Sequence, residues 1–124
     1  MTAPERDAPI VEIATGKLRG EQRANVQAYY AVPYAAPPVG ALRFAAPQPA
    51  TPWPGVRDAS RRGPSAPQGP SRLDAVMGVS PFEQSEDCLH VAVWTPAQNG
   101  ASPAGRRPVM VWLHGGAYQS GGGN

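Results

Sequence analysis

Residues 108–117, PVMVWLHGGA, restrict the possible folds of this chain more than any other stretch. Val109, Met110, Val111, Trp112 and Leu113 form an unbroken apolar run with β-branched and aromatic members, the pattern of a strand covered on both faces. His114, Gly115 and Gly116 follow at once. Side chains give way to bare backbone where the strand should end, so main-chain N–H groups there can approach another atom closely. Such a turn can serve a developing negative charge; an ordinary strand-end turn uses the same residues. A strand buried on both faces also needs strands beside it and helices above and below.

The rest of the sequence supplies little of that cover. It has no internal repeat and no amphipathic helical pattern. Sixteen prolines and 14 glycines approach the level of low-complexity chains, yet 41% of the residues are hydrophobic, with three Trp and four Tyr. Short strands joined by proline-stiffened loops fit this mixture. The expectation is one piece of a larger α/β fold, its remainder carried by another polypeptide or cut away.

In chain order, residues 1–8 read as a frayed tail. Residues 10–14 and 17–21, with Thr15 and Gly16 as the turn, suggest a small hairpin. Residues 26–32 are a strand that Pro33 ends by withholding a ladder donor. Prolines recur from 33 to 54, so that segment must lie extended over a surface built by other elements. Leu42, Phe44 and Trp53 are its expected anchors, and Arg43, set between apolar neighbours, would want a carboxylate. The loop 61–80 has almost no periodic signal, with a possible helical turn at 73–77. Residues 89–95 form a strand ended by Pro96, and 97–107 link it to the apolar run.

Eleven basic residues stand against nine acidic ones, net +2, with no Lys/Arg run longer than a pair. Nucleic acid and anionic membrane are not indicated as partners, and no apolar stretch approaches the ~20 residues of a membrane helix. The first residues lack the basic and apolar regions of a secretory signal. The single cysteine, Cys88, suits a reducing compartment. A cytoplasmic protein is expected, and neither a metal nor a cofactor is indicated.

Blocks along nearly the whole chain resemble the N-terminal portion of type-B carboxylesterases, the α/β-hydrolase family that includes cholinesterases and para-nitrobenzyl esterases. They are GKLRG at 16–20, VPYAAPPVG at 32–40, LRF at 42–44, Pro47, Trp53, Gly63 and Pro64, and Pro67 and Gln68. QSEDCL at 84–89, VWTP at 93–96 and PVMVWLHGGA at 108–117 continue the series. The resemblance implies a small N-terminal hairpin, the first strands of the central sheet and proline-rich loops, so that 1–124 is the N-terminal fragment of one catalytic domain. It implies hydrolysis of small carboxylic esters by an activated serine. The serine elbow Gly-x-Ser-x-Gly is absent from the sequence: YQSGG at 118–122 lacks the leading glycine. The nucleophile and its acid and histidine partners are thus expected on a companion polypeptide, leaving this chain inactive alone. A catalytically silent, cholinesterase-like interaction module is the alternative reading, and an inactive fragment is a third.

By the family pattern, the N–H groups of Gly116 and Ala117 face the oxyanion. Gly115 permits the tight turn, and His114 holds the loop rather than moving protons. Tyr118 either lines the substrate pocket or packs. Arg43 and Glu86 correspond to a buried ion pair, whose breakage would cost ~3–5 kcal/mol. Many relatives tie Cys88 to a cysteine upstream. Here that position is Ala66, so Cys88 should be a free thiol and the loop 66–88 untied. Ala92 stands where relatives commonly have asparagine, and His90 reads as a structural strand histidine.

Overall fold

The computed structural model describes residues 8–70, 83–96 and 107–123. The expected helical turn at 73–77 and most of the 97–107 linker lie outside them. Among the described residues six strands form two three-stranded sheets: β1 (Ile10–Ile13), β2 (Gly16–Arg19), β3 (Glu21–Arg23), β4 (Val26–Pro33), β5 (Val56–Asp58) and β6 (His90–Pro96). One sheet has the order β1-β2-β5 and the other β3-β4-β6.

The first hairpin forms with its turn one residue earlier than expected. Ile13 pairs with Gly16, so Ala14 and Thr15 make the turn and Gly16 belongs to the strand. β5 joins β2 in parallel, and the second sheet is antiparallel throughout. Pro33 and Pro96 are the last residues of β4 and β6, as expected where a donor is withheld.

The two sheets meet at Ala59, which has no exposed surface. Its N–H donates to the Arg19 carbonyl at 2.7 Å, and its own carbonyl accepts from Tyr30 N–H at 2.8 Å. Tyr30 is free to turn toward Ala59 because β4 bulges there. The β4–β6 register shifts between the Tyr29 and Val32 pairs, and Ala31 sits at φ 50°, an extra residue that bends the strand. Leu18, Tyr29, Val32 and Ala59 form the core, with Ile13 and Trp53 packed against it.

The proline-rich segment lies over this core and is tied at both ends. Tyr34 N–H donates to Leu89 O at 3.2 Å, and Trp53 N–H donates to Thr15 O at 3.0 Å. The Trp53 indole also donates to Lys17 O at 2.9 Å. Of the three expected anchors, Trp53 packs on the core and Leu42 is half-buried, but Phe44 is 99% exposed. Phe44 sits at φ 57°, just past a 3₁₀ turn at Gly40–Leu42, and its ring lies 5.5 Å from the Arg43 guanidinium in solvent.

One expectation needs a larger correction. Residues 109–113 join no ladder among the described residues and are 76–92% exposed. A strand exists only through its partners, and none stands beside this run. Among the described residues the regular structure is strands and a 3₁₀ turn, with no α-helix.

Candidate active site

Backbone conformation defines the turn after the apolar run. Gly116, Ala117 and Tyr118 lie at φ 125°, 52° and 60°, a region that L side chains enter at a cost of roughly 1–3 kcal/mol each. The Gly116 carbonyl accepts from Gln119 N–H at 2.9 Å and from Ser120 N–H at 3.1 Å. A Cβ on residue 116 would run into the Ser120 carbonyl, so the close approach requires glycine. The N–H groups of Gly116 and Ala117 donate to no other described residue, and both residues are exposed. Two neighbouring amides are thus left open to an external acceptor, as a stabiliser of negative charge requires. His114 turns its Nδ1 to within 2.7 Å of the Gly115 carbonyl, which engages that ring nitrogen inside the turn.

A loop far away in sequence holds the end of this turn. Gln68 Oε1 accepts from Gly121 N–H at 2.7 Å, while its Nε2 donates to Gly121 O at 3.0 Å and to Ala66 O at 3.1 Å. The Gln68 backbone N–H in turn donates to Gln84 Oε1 at 3.0 Å. Ser65 pairs with Gln84 in an isolated bridge, donating to Glu83 O at 2.8 Å and accepting from Ser85 N–H at 3.0 Å. The base of the 66–88 loop is therefore fastened by hydrogen bonds, which corrects the expectation of an untied loop. No local sequence signal assigns Gln68 a role. A lone glutamine in a Pro/Gly-rich loop has no periodicity, and only its place in the matching block marked it.

Of the expected site residues, the structure brings Gly115, Gly116, Ala117, Tyr118 and His114 into one turn. Tyr118 is fully exposed. Arg43 and Glu86 pair at 2.8 Å, Nε to Oε1. Their side chains are 53% and 44% exposed, so in this chain the pair is not the buried one that the resemblance implied. Cys88 is a free thiol; partial burial, then the Asp87 charge, push its pKa up, which keeps it protonated and a poor nucleophile.

A cleft of about 160 Å³ lies between Ala31, Arg57, Glu83, Asp87 and His90. The buried His90 Nε2 has no hydrogen-bond partner among the described residues, and no residue of the glycine turn reaches the cleft. No group of three or more His, Cys, Asp or Glu among the described residues could hold a metal. No helix among them is long and apolar enough to cross a membrane.

The model of the Carboxylesterase family matches residues 7–124. The chain belongs to that family. Among the curated carboxylesterase relatives, phenmedipham hydrolase of Pseudarthrobacter oxydans is 46% identical over 120 residues, covering 94% of this chain and 23% of that protein. Para-nitrobenzyl esterase of Bacillus subtilis (strain 168) is 43% identical over 115 residues, covering 93% and 22%. A solved PNB esterase structure superposes with a TM-score of 0.78 at 44% identity, over 90% of this chain and 22% of that one. The chain thus shares the fold of the corresponding part of these esterases, which are α/β-hydrolases, and spans less than a quarter of its carboxylesterase relatives' length.

Proposed function

We propose that the chain is the N-terminal part of a carboxylic ester hydrolase that works through a serine acyl-enzyme, and that it supplies two oxyanion amides, from Gly116 and Ala117. The observation that carries this is the pair of adjacent, undonated N–H groups on an exposed turn held at positive φ. Family membership and the names of the relatives, hydrolases and esterases among them, support the reaction class.

In the proposed reaction the serine oxygen, relieved of its proton by a histidine, adds to the ester carbonyl. The carbonyl oxygen takes up the displaced electron pair as negative charge. Amides already fixed around it stabilise that charge without having to reorganise, each contributing about 3 kcal/mol to the barrier reduction. Expulsion of the alcohol gives the acyl-enzyme, and water then repeats the sequence to release the acid. Gly115 allows the turn, His114 holds it, and Tyr118 lines the approach to the pocket. The serine, its acidic partner and the catalytic histidine come from the remainder of the domain, outside residues 1–124. The substrate is a small ester, whose acyl group passes to the serine and then to water, and the reaction needs no cofactor or metal.

The test uses the assembly that includes this chain and its remainder, assayed with para-nitrophenyl acetate and labelled with a fluorophosphonate. Hydrolysis is expected, with the label on a serine outside residues 1–124. Gly116→Ala should lower kcat about 10²-fold, the order expected for losing one oxyanion donor, because its Cβ pushes against Ser120 and displaces the peptide. Ala117→Gly keeps the N–H, relieves a positive φ and should stay within about threefold of wild type. An assembly with neither hydrolysis nor label would instead be a silent module acting by association.

A further inference from the structure

We infer that Gln68 is a positioning residue for the oxyanion turn, an assignment that rests on the proposed role of the Gly116 and Ala117 amides. Gly116 C=O and Ala117 N–H belong to one planar peptide unit, so whatever fixes the carbonyl fixes the direction of the amide. Two bonds hold that carbonyl, from Gln119 N–H and Ser120 N–H. Ser120 is held by its covalent neighbour Gly121, and Gly121 is gripped on both sides by one side chain, that of Gln68.

The same loop makes a second, independent contact with this segment. A Cβ on Gly122 would strike the hydroxyl of buried Ser65, so the main chain at 122 rests directly on residue 65. Gln68 is itself braced by Ala66 O and by Gln84 Oε1. The chain of contacts runs from Gln84 through Gln68, Gly121 and Ser120 to the Gly116–Ala117 peptide. Its last link is a peptide plane rather than a side chain, so Gln68 acts on the reaction without touching the substrate.

Gln68 is suited to this work by having both a donor and an acceptor on one planar amide, which matches the N–H and C=O of a single residue. Alanine removes both bonds. Glutamate keeps the acceptor for Gly121 N–H but, when ionised, turns a carboxylate oxygen on the Gly121 carbonyl. A loosened turn lets the Ala117 N–H swing off the direction in which negative charge develops, and the effect concentrates in the transition state rather than in substrate binding.

The experiment compares wild type, Gln68→Ala, Gln68→Glu and, as a control on the β3–β4 hairpin, Gln22→Ala in the complete assembly. We expect Gln68→Ala to lower kcat about tenfold with KM within twofold, and Gln68→Glu to lower it by at least as much. Affinity for a trifluoromethyl ketone, whose carbonyl adds the nucleophile to give a stable oxyanion, should fall by the same factor as kcat/KM. Gln22→Ala should leave all three quantities unchanged. A Gln68→Ala variant that raises KM alone, or loses activity without a parallel loss of ketone affinity, would overturn the positioning role. If Gly116→Ala cripples the enzyme while both Gln68 variants behave as wild type, this inference fails and the oxyanion reading stands. If wild type is inactive, or Gly116→Ala has no effect, the oxyanion reading itself fails and takes this role with it.

Discussion

At the scale of single residues, Ser60 shows how a short polar side chain sets a junction in place. Its hydroxyl and its backbone N–H donate to Asp58 Oδ1 at 2.7 and 2.9 Å. These bonds, the hydroxyl's first, hold the Asp58 carboxyl below its usual value of 3.8, against the opposing effect of partial burial. The turn so formed encloses Ala59, the residue that joins the two sheets. A carboxylate with a depressed folded-state pKa contributes stability that is present above its unfolded value and is lost as pH falls through the folded one. Ser60→Ala should therefore lower the urea midpoint at pH 7, and the difference from wild type should shrink to nothing in acid below pH 3.8. The check is a pair of urea titrations across that range. A difference that persisted unchanged into acid would mean that the hydroxyl acts by some route other than the carboxylate.

At the scale of elements, the Arg43–Glu86 pair links the proline-rich segment to the residues just before β6. With both side chains about half exposed, solvent screens the attraction, and a coupling of roughly 0.2–1 kcal/mol is expected. A double-mutant cycle with Arg43→Met and Glu86→Gln, measured by denaturation of the complete assembly, reads this value directly. A coupling of several kcal/mol would show that the remainder of the protein covers the pair. The same segment shows what a sequence does and does not disclose. β4 and β6 were legible because 26–32 and 89–95 are long, β-rich and stopped by proline. β3 and β5 were not, since EQR and VRD are three-residue strands with no hydrophobic alternation, and each forms only because a neighbour offers an edge. Glycine is the commoner turn signal, yet here Gly16 pairs inside the strand while Ala14 and Thr15 turn. Hydropathy cannot see the positive φ that sends the Phe44 ring outward. The glycine turn was legible from its bare composition; its fastening by Gln68 depends on a contact across 53 positions, which no local pattern encodes.

At the scale of the whole molecule, the decisive quantity is how little apolar surface the described residues bury. Leu18, Ala28, Tyr29, Tyr30, Val32, Ala35 and Ala59 are the buried apolar residues, three of them alanines, while Val109, Met110, Val111, Trp112 and Leu113 stand exposed. Burying a large apolar side chain is worth roughly 1.5–3 kcal/mol, so covering those five would add stabilisation on the order of 10 kcal/mol, comparable to the whole stability of a domain. If the remainder of the esterase fold supplies strands on either side of 109–113, their amides gain ladder partners and leave water together. Hydrogen exchange measures this residue by residue. In the 124-residue chain alone, amides 109–113 should exchange near the rate of an unstructured peptide, while Tyr30 and Ala59, bonded across the sheet junction, exchange more slowly. In the complete assembly the 109–113 amides should slow by several orders of magnitude, and those of Gly116 and Ala117 should stay faster than their neighbours because their acceptor is a substrate oxygen rather than the protein. Adding a trifluoromethyl ketone should then slow those two selectively. If 109–113 remained unprotected in an active assembly, the run would not be a strand of the central sheet, and the placement of the oxyanion turn at its end would lose its support.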